Sequence, residues 1–185
     1  MKAVLASLKP YYYYLVGEGI KTIEVRKNFP KSEDWSRDTY FYMSRDEKSF
    51  ARIPKEFQEK YRRHFGKVGL RFVCDRIVDI PYSQYFVDYY HTMPQDDLEA
   101  TCLCMGHIDE YLLFKNGYGW HISDLVIYDE PRELGEFWSA DKCPYATKDG
   151  CTYKHHCFRA GQTKRCGDTL TRPPQSWCYI EVNEK

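Results

Sequence analysis

The hydrophobic positions follow two periods, and together they lay out the chain. "KAVLASLK" alternates weakly and predicts a first strand. Pro10 stands where a helix accepts proline, at its first position, and Gly19 stands where one closes. Between them Tyr11, Tyr14 and Leu15 share one helical face. "GIKTIEVRK" (residues 19–27) then reads as a strand with Ile23 and Val25 toward a core. Thr22, Glu24 and Arg26 lie on its other face, with Lys21 at its start. "DTYFYMSR" (38–45) is rich in strand formers. "IPKEFQEKYRRHFG" reads as a helix ending at Gly66. "KVGLRFVCDRIVDI" carries the strongest alternation, with a slip of phase near Arg76 that predicts a bulge or bend. Residues 94–116 predict one or two short helices, opened by the acid-rich "PQDDLE". "GYGWHISDLVIYDEP" is a further strand with a slip near Asp124, and "SWCYIEV" closes the pattern. From 139 to 176 turn residues and cysteines replace apolar ones.

The order is β-α-β-β-α-β-α-β-loop-β. A doubly wound sheet needs regular βαβ alternation and a glycine-rich phosphate turn, and neither is present. The expected class is α+β, a small mixed β-barrel with flanking helices. Residues 1–138 and 176–185 form the main domain, and 139–175 form a cysteine-rich insertion. The chain of 185 residues is long enough to bury a core without a staple.

Composition changes the picture in three ways. The formal net charge is zero, which argues against a uniformly basic nucleic-acid binder, but the charge is segregated. Arg45 to Lys67 holds eight Lys/Arg against four Asp/Glu, Asp75 to Glu110 eight acids against one Arg, and Asp141 to Arg172 seven Lys/Arg against three acids. Aromatics reach 17%, a surplus that serves packing or base stacking alike. No run has the roughly 18 to 20 apolar residues of a membrane span, and the N-terminus is apolar over too short a distance for a signal peptide. A cytoplasmic location is therefore expected. In that reducing compartment, eight cysteines suggest a metal site or buried thiols.

Gly19-x-Lys21-x-x-Glu24-x-Arg26 resembles the G-x-K-x-x-E-x-R signature of the ASCH domain, a family of the PUA-like superfamily. The preceding helix and the later strands fit the same pattern over roughly residues 1–130 and the final strand. "GYGWHISDL" and "LTRPPQSWCYIE" further resemble ASCH-like proteins of bacteria and their prophages. The resemblance implies a PUA-like barrel with a cleft around this strand and RNA or a modified nucleoside as its ligand. Lys21 and Arg26 then contact phosphate or a base edge, and Glu24 accepts from an amino group. Trp120 or Trp177 offers a face for stacking. His121 is an acid–base candidate or a structural histidine. Arg172 and Gln175, with Ser176, are either a clamp at the barrel mouth or part of a turn made rigid by Pro173 and Pro174. The bland alternative is a surface pair between Glu24 and Arg26.

Some ASCH proteins resemble amidohydrolases that deacetylate N4-acetylcytidine with a lysine, a threonine nucleophile on the same strand and a distant glutamate. Lys21 matches the lysine, but Glu24 stands where the threonine is needed. Other relatives resemble nucleases of single-stranded RNA, in which Lys21 and Glu24 would be catalytic. Three classes thus stay open: an RNA or nucleoside binder, a small hydrolase acting on RNA or a nucleoside amide, and a protein-interaction adaptor.

Cys143, Cys151, Cys157 and Cys166 are spaced C-x7-C-x5-C-x8-C, and the first three resemble the CCCH zinc-finger pattern. Where that pattern has its histidine this chain has Gly161, so Cys166 is the first substitute and His155 or His156 the next. Four such ligands within a segment poor in apolar residues predict a structural zinc. Lys142, Lys148, Lys154, Arg159, Lys164 and Arg165 would give it a basic shell or a solvated loop. Cys74 and Cys178 read as core thiols, and Cys102 and Cys104 as a C-x-C within a helix.

Overall fold

A computed structural model describes residues 2–33, 35–85, 88–113, 115–140, 146–147, 150–151 and 169–182, with backbone alone at 84–85, 88–90, 146–147 and 150–151. The elements run β1 (Lys2–Leu8), α1 (Pro10–Gly17), β2 (Ile23–Arg26), β3 (Trp35–Met43), α2 (Glu47–Phe50), α3 (Lys55–Arg62), β4 (Val68–Val73) and β5 (Ile77–Ile80). They continue through β6 (Tyr82–Tyr85), β7 (Asp88–His91), α4 (Gln95–Ala100), α5 (Met105–Leu112), β8 (Gly117–His121) and β9 (Ser123–Arg132). The short strands β10 (Trp138–Ser139), β11 (Ala146–Thr147) and β12 (Gly150–Cys151) precede the last strand, β13 (Trp177–Glu181).

The chain is α+β, but its strands do not close into one barrel. A six-stranded sheet has the order β10-β13-β1-β3-β4-β9, and a three-stranded sheet has the order β2-β8-β5. The two anticipated slips of phase explain the division. The long strand 68–80 breaks between Val73 and Ile77, so β4 lies in the large sheet and β5 in the small one. The strand 117–132 changes sheet at Ile122, between β8 and β9, and Asp124 just beyond takes φ +47°. Two bent strands thus link the sheets on one side. On the other side β2 is a free edge of the small sheet.

Alternation fills the space between them. Val4 and Ala6 of β1, Phe41 and Met43 of β3, and Leu70 and Phe72 of β4 form one core with α1, Phe50, Tyr61 and Trp120. Ala3, Leu5, Tyr40 and Tyr42 point the other way, into a second core closed by Phe137 and Ile180. Helix α1 begins with Pro10 at its first position, and Gly19 beyond its end takes φ +69°, which only glycine adopts without strain. Gly69 serves close packing instead: a Cβ there would stand 2.6 Å from the Tyr13 hydroxyl and collide with the His64 ring.

Some elements escaped the pattern. The hairpin β6–β7 and the one-turn α2 were not anticipated. Cys102 and Cys104 do not sit within a helix: Cys102 takes φ +54° between α4 and α5, and Cys104 caps α5. Cys74 is fully buried, and burial pushes its thiol up to about 12. Cys178 is half-buried against the second core. Among the described residues no helix is long and apolar enough to cross a membrane.

Candidate functional site: a carboxylate floor between two sheets

All four residues of β2 are buried, because the strand is covered on both sides. Val25 packs against Ile80, Ile108 and Leu112, and Ile23 has no exposed surface, as the alternation predicts. Lys21, Glu24 and Arg26 face the gap between the sheets. They form the floor of a cavity of about 680 Å³, a size suited to a small polar ligand.

The floor is a dense polar system in which, among the described residues, the buried Arg26 Nε alone of its donor atoms has no partner. Lys21 is 1% exposed, and its Nζ donates to the carbonyls of Ile23 (2.7 Å) and Thr101 (2.6 Å) and lies 3.3 Å from Glu24 Oε2. An ammonium has three N–H groups, and these three acceptors engage them all. Burial pushes the Lys21 ammonium below its ordinary range, and the Glu24 carboxylate opposes that. Arg26 donates from Nη1 to the Ser176 carbonyl (3.1 Å) and from Nη2 to the Ser7 carbonyl (2.8 Å), with Glu24 Oε1 3.1 Å from Nη2. Its guanidinium carbon lies 5.9 Å from the centre of the Trp120 ring. Glu24 is therefore neutralised from both sides, while its two oxygens keep lone pairs for a further donor.

Other elements supply the walls. Tyr12 comes from α1, and Leu103 precedes α5, which contributes His107, Glu110 and Tyr111; Ser7, Lys9 and Gln175 complete the rim. Burial pushes the Tyr111 phenol up, and Lys27 Nζ lies 5.2 Å from its ring. His107 Nδ1 stands 3.2 Å from Cys104 Sγ.

Of the residues singled out from sequence, Lys21, Glu24, Arg26 and Gln175 meet at this cavity. The others lie elsewhere. Thr22 is engaged through its backbone, with its N–H on the Ala100 carbonyl. Trp120 is fully buried, between Arg26 and the edge of Trp177, and has no accessible face in this conformation. His121 pairs through Nδ1 with Asp75 at 2.6 Å, and this bond holds the Asp75 carboxyl below the usual carboxylate range. Trp177 donates from Nε1 to Asn28 Oδ1 at 2.6 Å. Arg172 is exposed and is not part of the lining. Cys143, Cys157, Cys166, His155 and His156 lie outside the described residues, and of Cys151 only the backbone is described, in β12. No group of three or more metal-ligating side chains occurs among the described residues.

Tyr12, His107, Glu110 and Tyr111 were missed. A signal for three of them was present: 107, 110 and 111 are spaced i, i+3, i+4, which sets them on one face of a helix.

No protein-family model matches the sequence, and no curated protein matches it significantly. Among solved structures, the ASCH protein of Zymomonas mobilis is similar at 15% identity and a TM-score of 0.48, over 97% of this chain and 87% of that one. Two point mutants of that protein give 15% identity with TM-scores of 0.48 and 0.42, covering 97% and 71% of this chain and 88% and 73% of theirs.

Proposed function

We propose that this chain is an ASCH-type protein that binds RNA or a modified nucleoside, with one base entering the cavity above Glu24. The observation that carries the reading is the state of the floor. Lys21 and Arg26 have most of their donors engaged by carbonyls and by Glu24, so they are not poised to grip a phosphate. What faces the cavity is a neutralised carboxylate that accepts N–H donors, as the amino or amide edge of a base presents. Tyr12 and Tyr111 on the walls supply aromatic faces, and stacking on such a face contributes about 1–3 kcal/mol per base.

The same floor disfavours the hydrolase reading. An ammonium held by two carbonyls and a carboxylate is a poor nucleophile or base, and Thr22 does not line the cavity. The proposal includes a cytoplasmic location and a structural zinc held by Cys143, Cys151, Cys157 and Cys166. The pairing of Ala146 with Cys151 supports the zinc, because it turns the backbone back on itself between the first two cysteines.

A mass-spectrometric screen of modified nucleosides and short RNAs, with wild type and Glu24→Gln, tests the function. Retention without turnover, lost in Glu24→Gln, is expected. Turnover would assign the hydrolase instead. Retention of proteins alone in a pull-down from lysate would assign an adaptor.

A further inference from the structure

A second cavity of about 400 Å³ adjoins the first, and Ser44 lines both. Ser44 follows β3, where its backbone N–H reaches the Leu8 carbonyl at the end of β1. Its hydroxyl oxygen is buried and has no hydrogen-bond partner among the described residues. A polar group so placed costs free energy unless something fills its valence. Tyr42, Leu134, Leu170 and Pro173 supply the apolar part of the second cavity's walls.

Two cations flank this junction. Lys9 lines the first cavity and Arg45 the second. Both are exposed, and neither pairs with a carboxylate among the described residues. Arg45 lies over Gly66, where a Cβ would collide with its Nε, so the glycine leaves room for the guanidinium. The acid of the second cavity, Glu133, is occupied by Lys67 at 2.8 Å.

Resting on the reading of the first cavity as a base site, we propose that the second cavity takes the neighbouring nucleotide of a single strand. The linking phosphate lies at Ser44 between Lys9 and Arg45. The preferred ligand is then an oligonucleotide rather than a free nucleoside. This division of labour follows from the floor: with Lys21 and Arg26 engaged, a backbone phosphate must be met by other cations, and Lys9 and Arg45 are free to meet it.

Binding of a random-sequence single-stranded RNA 12-mer and of the four free nucleosides tests this by titration against wild type, Arg45→Glu, Ser44→Ala and Glu24→Gln, each checked for an unchanged melting temperature. The 12-mer is expected to bind wild type at least about tenfold more tightly than any nucleoside, the scale of one charge-assisted contact. Arg45→Glu should weaken the 12-mer by about tenfold or more and leave nucleoside binding unchanged. The slope of log affinity on log salt should fall by about 0.7 for the lost phosphate contact. Ser44→Ala should weaken the 12-mer alone. An unchanged 12-mer affinity in Arg45→Glu overturns the second subsite while leaving the first intact. Unchanged binding of every probe in Glu24→Gln, or no binding by wild type, overturns the base site itself.

Discussion

The Arg26 guanidinium on β2 reaches the main-chain carbonyl of Ser7 on β1, 2.8 Å away, and so joins the free edge of the small sheet to the large one. Among the described residues no strand pairing does this work, because there β2 pairs only with β8. Side chains, Arg26 among them, therefore hold a seam that a closed barrel would close with a ladder of backbone bonds. Arg26→Met removes the fork, strips Glu24 of one counter-charge and leaves the Ser7 carbonyl without this donor. Loss of one partner of a buried pair costs about 3–5 kcal/mol, and urea denaturation should show a loss of that size. Arg26→Lys keeps the charge but not the fork and should fall between. A loss below about 1 kcal/mol for Arg26→Met would show that the seam is held otherwise.

His64 contributes to the acid limb of stability. It is fully buried beside Tyr13, whose hydroxyl lies 3.0 Å from Nδ1, and burial lowers its pKa to about 4 from 6.5. Below pH 6.5 the unfolded chain takes up a proton that the folded ring refuses, so this contribution is present above 6.5 and is lost as pH falls toward 4. Over that interval, at about 1.4 kcal/mol per pH unit, the loss is roughly 3 kcal/mol. Denaturation curves at pH 4 to 7 should show this slope in wild type and a flatter one in His64→Gln.

At the alkaline end several groups act together. Burial raises Tyr13, Tyr61 and Tyr40, so their protons stay on in the folded state after the unfolded chain has lost its own. Their contribution is complete below pH about 10 and fades above it. Lys21, lowered by burial, acts in the opposite sense, but it is one group against several. Net stability should fall as pH rises from 9 to 11, and Tyr61→Phe should reduce the fall.

Gly69→Ala should be among the most damaging single-methyl changes, because the new carbon would meet the Tyr13 hydroxyl and the His64 ring. Overpacking of this kind costs about 1–3 kcal/mol. A lower urea midpoint is expected, with partial recovery when Tyr13→Phe is added to make room.

Metal analysis of protein purified without added zinc should find close to one zinc per chain, and none in a variant lacking residues 141–168. A stoichiometry near zero in the full chain would dispose of the zinc. Cys166→Ser, compared with His155→Asn and His156→Asn, identifies the fourth ligand by which substitution releases it.

Much of this was legible because local rules and burial agree. The alternation of Leu70 with Phe72, and of Ile23 with Val25, found core-facing sides of β4 and β2, whereas a register shift turns Val68 into the second core. The slip at Arg76 found the bend, yet not its consequence: whether a bent strand closes a barrel or joins two sheets depends on pairings distant in sequence. The hairpin β6–β7 was hidden for a related reason, since "YSQYFVDYYH" lacks the glycine or asparagine turn that signals a hairpin. In the site, the signature residues converge, but their donors turn inward. Trp120, the obvious stacking residue, is core. Sequence names the groups that can bind and is silent on which are already occupied.

The carbonyls of Ile23, Thr101, Ser7 and Ser176 anchor Lys21 and Arg26, and all four belong to the main chain. A peptide oxygen is present whatever residue bears it. Mutational drift at those four positions can change every anchoring residue without disarming the floor, provided the backbone path holds. The heritable specification of the floor thus reduces to three codons, for Lys21, Glu24 and Arg26. Saturation mutagenesis should find intolerance at those three and latitude at Ser7 and Ser176, with Ile23 and Thr101 limited only by their burial.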